Sequence, residues 1–200
     1  FIYSSSATQT LSGVISGTGA LTKDTDTSSV LTLSNTNTYT GVTTINAGTI
    51  SVGTIGNGGA AGNLGQATNA STNIVLGGGT LKYTGSTATS DRAFTITAGT
   101  TGTIDVPTGV TLTLAGATGT TTTGALTKTN SGTLNLSGVN TYTGTTTISA
   151  GTLAITGSGS LNSGSYAGSI VDNATFIYSS SATQTLSGVI SGTGALTKDT

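Results

Sequence analysis

Apolar and polar residues alternate with a period of two over short stretches of this chain. Leu31 and Leu33, Leu112 and Leu114, and Leu134 and Leu136 are each separated by a single Thr or Asn. The same step joins Phe94 to Ile96, Ile104 to Val106, Leu153 to Ile155 and Phe176 to Tyr178. Successive side chains of a strand point to opposite faces, so this alternation predicts strands with one buried and one wet face. Thr suits the wet face, because a β-branched side chain loses little on a pleated surface. Gly41, Gly48, Gly138, Gly144 and Gly151 punctuate the strands and read as corners at positive φ. Pro107 sits in a Val-Pro-Thr-Gly turn, and no segment carries a 3.6-residue apolar period. The pattern predicts an all-β chain.

Repeats choose among all-β architectures. Residues 1–25, FIYSSSATQTLSGVISGTGALTKDT, recur letter for letter as residues 176–200, an offset of 175. Residues 1–175 therefore read as one tandem unit and residues 176–200 as the start of the next. Inside the unit, residues 19–52 and 124–155 form a second, looser repeat, with two extra residues near Asp26 and Thr27. Short strands, corners of a few residues and continuation into a copy favour a parallel β-helix over a closed antiparallel sandwich or barrel. One coil of roughly 20 residues buries too little to offset an ordering cost of about 1–2 kcal/mol per residue, and stacking supplies the missing burial. On that reading each 175-residue unit makes about nine coils and lengthens the rod by roughly 40 Å, at about 4.8 Å per coil. Beginning at Phe1 without Met, the chain reads as a slice of a longer protein.

Composition narrows the partners. Thr is about a quarter of the chain, and His, Cys, Met and Trp are absent. Val, Ile and Leu recur in regular bursts, which argues against a disordered Thr/Gly-rich linker. Five dispersed basic residues against six acidic ones cannot make the phosphate-binding stripe that nucleic acid requires, nor a basic amphipathic face for a membrane surface. No apolar run approaches the length of a membrane span. Without Cys there is no disulfide frame and no thiolate metal site, which suits a protein that crosses the periplasm unfolded.

The segments G-A-L-T-K and L-x-L-S-x-x-N-T-Y-T-G-x-T-T-I-x-A-G-T-[IL] occur in both internal repeats and resemble the passenger-associated repeats of bacterial autotransporters. Leu186–Lys198 and Gly77–Ile96 are similar to the stretches that flank such repeats. The resemblance implies a right-handed parallel β-helix, exported to the surface of a Gram-negative-type bacterium, with a scaffold role and no catalytic residues.

Candidate chemistry is sparse. Asp24 and Asp26 are the only close carboxylate pair, and a glycosidase needs such a pair facing across a cleft. In a polar turn they read as a solvated corner. The run Gly58–Gly65 lacks the Asp of a calcium β-roll, and Gly77, Gly78 and Gly79 lack the helix of a phosphate loop. Asp91 and Arg92 read as a local surface ion pair. Tyr39, Tyr83, Tyr142 and Tyr166 could stack on sugars, but Tyr39 and Tyr142 share one repeat position, which favours a stacked structural ladder. Thr-x-Thr stretches at Thr95–Thr97, Thr111–Thr113, Thr141–Thr143 and Thr145–Thr147 raise ice binding, and their uneven spacing argues against it.

The residues thus point to a non-enzymatic stalk or filament segment of a giant, tandemly repeated surface protein. No catalytic, cofactor or metal residue is assigned. The expected partners are identical repeats, end to end or side by side, with glycans or other cell surfaces as further targets. The competing readings are an adhesin binding glycan or host protein through its repeated surface, an ice-binding β-helix, and a polysaccharide-active enzyme using Asp91, Asp105 or Arg92.

Overall fold

A computed structural model describes residues 1–119 and 122–199; Thr200, in the expected next unit, lies outside the described residues. Among the described residues the strands pair in parallel, and the one antiparallel bridge, Asn37 with Gly62, lies outside the strands. The chain visits three faces in turn. Face one is a five-stranded sheet of Ile2–Tyr3, Leu21–Lys23, Thr43–Ile45, Ile74–Leu76 and Thr95–Ile96. Beyond Thr95–Ile96 this face continues as the bridge Thr122–Tyr142 and as the pairs Val139–Asn140 with Ser160–Leu161 and Ser165–Tyr166 with Thr185–Leu186. Face two is a nine-stranded sheet running from Gln9–Leu11 to Ile190–Ser191. Face three is a six-stranded sheet from Ala88–Ser90 to Ala195–Lys198, preceded by irregular segments around Ile15, Asn37 and Ile55. One strand of face two per coil gives about nine coils across the described residues. This is the expected β-solenoid.

Coil length, read from the register, runs from 19 residues between Val30 and Thr49 to 31 between Thr43 and Ile74. Inward side chains stack regardless of that variation. Leu112, Leu134, Leu153, Phe176 and Leu196 form one ladder on face three. Leu31, Ile50, Leu81 and Ile104 begin another on face two. Most of these are fully buried, and each such side chain contributes about 1.5–3 kcal/mol.

The corner glycines serve two different purposes. Gly48 and Gly151 have φ of 64° and 71°, as expected. Gly41, Gly138 and Gly144 do not; a Cβ on each would drive into the backbone of the coil below. The close approach of stacked corners, rather than φ, excludes side chains there. Thr25 and Asn130, equivalent in the two internal repeats, both adopt left-handed backbone, at φ 78° and 63°. A β-branched residue is poorly suited to that region and Asn tolerates it. Thr25→Asn is therefore expected to stabilise the fold by about 0.5–1 kcal/mol in denaturant titration.

The 25-residue twins pair alike. Ile2 and Tyr3 pair with Thr22 and Lys23, as Ile177 and Tyr178 do with Thr197 and Lys198. In both, the Lys ammonium lies over the Tyr ring, at 5.7 and 5.8 Å from its centroid.

Candidate functional site

The long coil carries an insert. Between strands Thr49–Val52 and Ile74–Leu76 the chain makes a glycine-rich excursion over residues 53–73. Its inner side is apolar, with Ile55, Leu64 and Ala67 buried. Its outer side, including Asn57, Gly59, Ala60, Ala61, Thr68, Asn69 and Ala70, is exposed. Asn63 closes the base: its Oδ1 accepts from Gly53 N and Thr54 N, both at 2.9 Å, and its Nδ2 donates to Asn35 O. Asn37 Nδ2 in turn donates to Asn63 O at 2.9 Å.

The coil above pins the insert from its other side. Arg92 is buried, and its guanidinium donates to the carbonyls of Gly56, Gly65 and Ala67 at 3.0, 2.9 and 3.2 Å. Asp91 Oδ1 accepts from Gly58 N at 2.7 Å, and its Oδ2 from Asn69 Nδ2 at 3.3 Å. The expected local ion pair between Asp91 and Arg92 is thus replaced by two separate staples. Adjacent residues of an extended chain point opposite ways, so one side chain enters the rod while the other reaches across its surface. Burial lowers the Arg92 pKa, while the Tyr39 and Asp91 charges oppose that shift.

Other candidate residues serve the scaffold. Asp26 Oδ1 accepts from Ser28 N, Ser28 Oγ and Ser29 N, all at 2.8 Å, and these bonds hold its carboxyl below the usual range. Asp24 Oδ1 accepts from Thr25 N, so the pair forms a self-bonded corner rather than facing carboxylates. Gly77–Gly79 turns between faces one and two, with Gly78 at φ 127°. Asp105 accepts from Thr129 Oγ1 and Asn130 Nδ2. Tyr39, Tyr83, Tyr142 and Tyr166 are all buried, so none is available to a sugar. The expected ladder of Tyr39 on Tyr142 is not formed, because the internal repeats place them on different faces. Each instead bonds the Thr four residues on, Tyr39 to Thr43 at 2.7 Å and Tyr142 to Thr146 at 3.0 Å. Tyr142 packs edge-on against Tyr166, with ring centroids 5.9 Å apart.

Two features escaped the sequence reading. The first is a polar rank. Outward Thr49, Thr80, Thr103, Thr127 and Thr147 are in register on five successive strands of face two, despite their uneven spacing in sequence. The neighbouring column holds Thr32, Ser51, Lys82, Asp105 and Thr129, so charges interrupt any flat hydroxyl surface of the kind ice requires. The second is a pair of lysines inside the bore. Lys23 and Lys128 are fully buried, and Lys128 Nζ donates to the carbonyls of Thr129, Asn130 and Ala150.

Burial pushes the Lys128 pKa down from 10.5 to about 8, against the pull of Asp105. Between those values the unfolded chain binds more protons, so this group's contribution to stability is complete above 10.5 and is lost as pH falls through 8. Burial raises Tyr166 to about 12 and raises Tyr142 as well, so above pH 10 the unfolded chain loses phenolic protons that the fold retains. Stability is therefore expected to rise by about 2 kcal/mol from pH 8 to between 9 and 10, then to fall. Denaturant titrations across pH 7–11 check this, and Lys128→Met abolishes the rising limb.

Among the described residues no group of three or more His, Cys, Asp and Glu could hold a metal ion, and no helix is long and apolar enough to cross a membrane.

The sequence matches the passenger-associated-transport-repeat model at residues 28–52 and 126–155, within the two internal repeats. It is also similar to the adhesin BmaC autotransporter of Brucella suis biovar 1 (strain 1330), at 48% identity over 120 residues. That match covers 59% of this chain and 3% of the relative's length. No solved structure matches. The parallel coils and the two repeat matches together make the chain a β-solenoid segment that carries passenger-associated-transport-repeat sequences at residues 28–52 and 126–155.

Proposed function

We propose that the chain is a length of a continuous, non-catalytic stalk in a giant surface adhesin, with identical units following one another along one rod. The burial of the twin segments carries this reading. Phe176 is 0% exposed, resting on Leu153 of the coil below, while its twin Phe1 is 57% exposed. Leu21 is likewise 0% exposed beneath the next coil, and its twin Leu196 is 54% exposed. Each end therefore bares side chains that the same sequence buries elsewhere in the chain.

Mechanically, parallel hydrogen-bond ladders run along the axis and the apolar ladders fill the bore. Arrays of two, four and eight units, imaged by electron microscopy, test the stalk. Straight rods lengthening in proportion to unit number are expected; globules joined like beads contradict it. The 200-residue chain, with both ends bare, is expected to associate end to end, and a strictly monomeric species in concentrated sedimentation counts against it.

The pinned insert favours a second reading, adhesion through the repeated surface itself. Inserted loops on a repeat scaffold are where recognition is commonly built. Binding of a multi-unit array to a glycan panel or host cells, lost when residues 56–70 are shortened, supports it. Binding unchanged by that deletion removes it.

A further inference from the structure

Identical sequence does not return to the same face. Gln9–Leu11 is the first strand of face two, whereas its twin Thr185–Leu186 lies on face one, paired with Ser165–Tyr166. Leu21–Lys23 is on face one and its twin Ala195–Lys198 on face three. Ile190–Ser191 is the ninth strand of face two, whereas its twin, at Ile15, lies on face three, where the Ile15 carbonyl accepts from Thr38 N at 2.9 Å. Three separate pairs shift by one face in the same sense. The first and ninth strands of face two are eight coils apart, and the twin of the first comes one face before the ninth. One 175-residue unit thus winds eight times less a third of a turn.

The internal repeats are indexed too, in the opposite sense. Leu21–Lys23 and Thr43–Ile45 on face one correspond to Ala125–Thr129 and Thr146–Ile148 on face two. Val30–Leu33 and Thr49–Val52 on face two correspond to Thr133–Leu136 and Thr152–Ile155 on face three. Local sequence sets the strand and its corners, and the running total of coil lengths decides the face.

We infer that each unit of a tandem array is turned by one face relative to the unit before, so that the pinned insert is displayed on the three sides of the rod in rotation. The inference rests on the stalk reading above. At about 4.8 Å per coil, consecutive inserts are about 37 Å apart along the axis, and inserts on one face about 110 Å apart. Such a surface suits a multivalent partner, because some insert meets the target whichever way the rod lies, and avidity then grows with unit number. The indexing also interrupts surface ladders. The Thr rank of face two gives way to Val171 and Ser191, so two rods cannot zip along one continuous stripe for more than about a unit.

The test is an array of six units carrying Ala60→Cys in every insert, labelled with a maleimide gold cluster and imaged by cryo-electron microscopy. Ala61→Cys serves where Ala60 labels poorly. The expected map is a straight rod with clusters about 37 Å apart, each one sheet further round than the last, and every third step returning to the same sheet. A straight rod with all clusters on one sheet overturns the indexing and leaves the stalk standing. Particles that are not continuous rods overturn both.

Discussion

Gly144→Val is expected to lower the unfolding free energy by about 3–5 kcal/mol. Gly144 stands on the corner of the coil below, its amide donating to Gly124 O at 3.1 Å. A Cβ there would lie 2.6 Å from both the Gly124 carbonyl carbon and the Thr123 carbonyl oxygen. Both belong to backbone held in its own ladder, so the coils must separate and give up hydrogen bonds between them. The twins supply a control. Gly13 and Gly188 have the same neighbours in sequence for a dozen residues on either side. A Cβ on Gly13 meets nothing within 4 Å, whereas on Gly188 it strikes the Gly168 and Ala167 carbonyls. Gly13→Ala should leave stability within about 0.5 kcal/mol, while Gly188→Ala should raise hydrogen exchange across the last coil. Equal effects would show that local propensity, and not stacking, governs these corners.

The second large effect is expected at Arg92. Arg92→Ala removes the one guanidinium that holds the carbonyls of Gly56, Gly65 and Ala67, at a cost of about 3 kcal/mol from unmade hydrogen bonds and lost packing. The loss is local. Exchange protection and protease resistance should fall over residues 54–70, while the strands of face two keep theirs. Arg92→Lys should recover little, because the three carbonyls are met by three separate nitrogens of a planar fork, which a compact ammonium does not present. A uniform loss of protection over every coil would mean that Arg92 supports the rod rather than the insert.

The fold was legible because it is written in period two. Leu-x-Leu pairs, polar partners between them and the 175-residue recurrence point to stacked parallel coils without any tertiary information. Less legible was anything that depends on which coil lies above which. Leu21, Thr22 and Lys23 alternate like every other strand, so the pattern does place Lys23 inward, but an ammonium there is unexpected until the corner carbonyls of Asp24 and Asp26 are seen to cap it. Arg92 and Asp91 looked like each other's partner because the insert they staple is more than twenty residues away. Tyr39 and Tyr142 shared a repeat position yet not a face, since coils of 19 to 31 residues do not keep sequence repeats in phase with the turn. The same unevenness concealed the Thr rank. In a solenoid, sequence period and spatial period are separate quantities, linked only through coil length.

Stacking itself is tested most directly by distances along one column of face two. Thr49, Thr103, Thr147 and Ser191 face outward two strands apart in succession. Paired spin labels joining Thr49 to each of the other three in turn should report backbone separations growing in equal steps, about 10, 19 and 29 Å, although the residues are unevenly spaced in sequence. Separations that fail to grow in order, as strands folding back in a closed sandwich would give, contradict the stacked parallel coil on which every conclusion here depends.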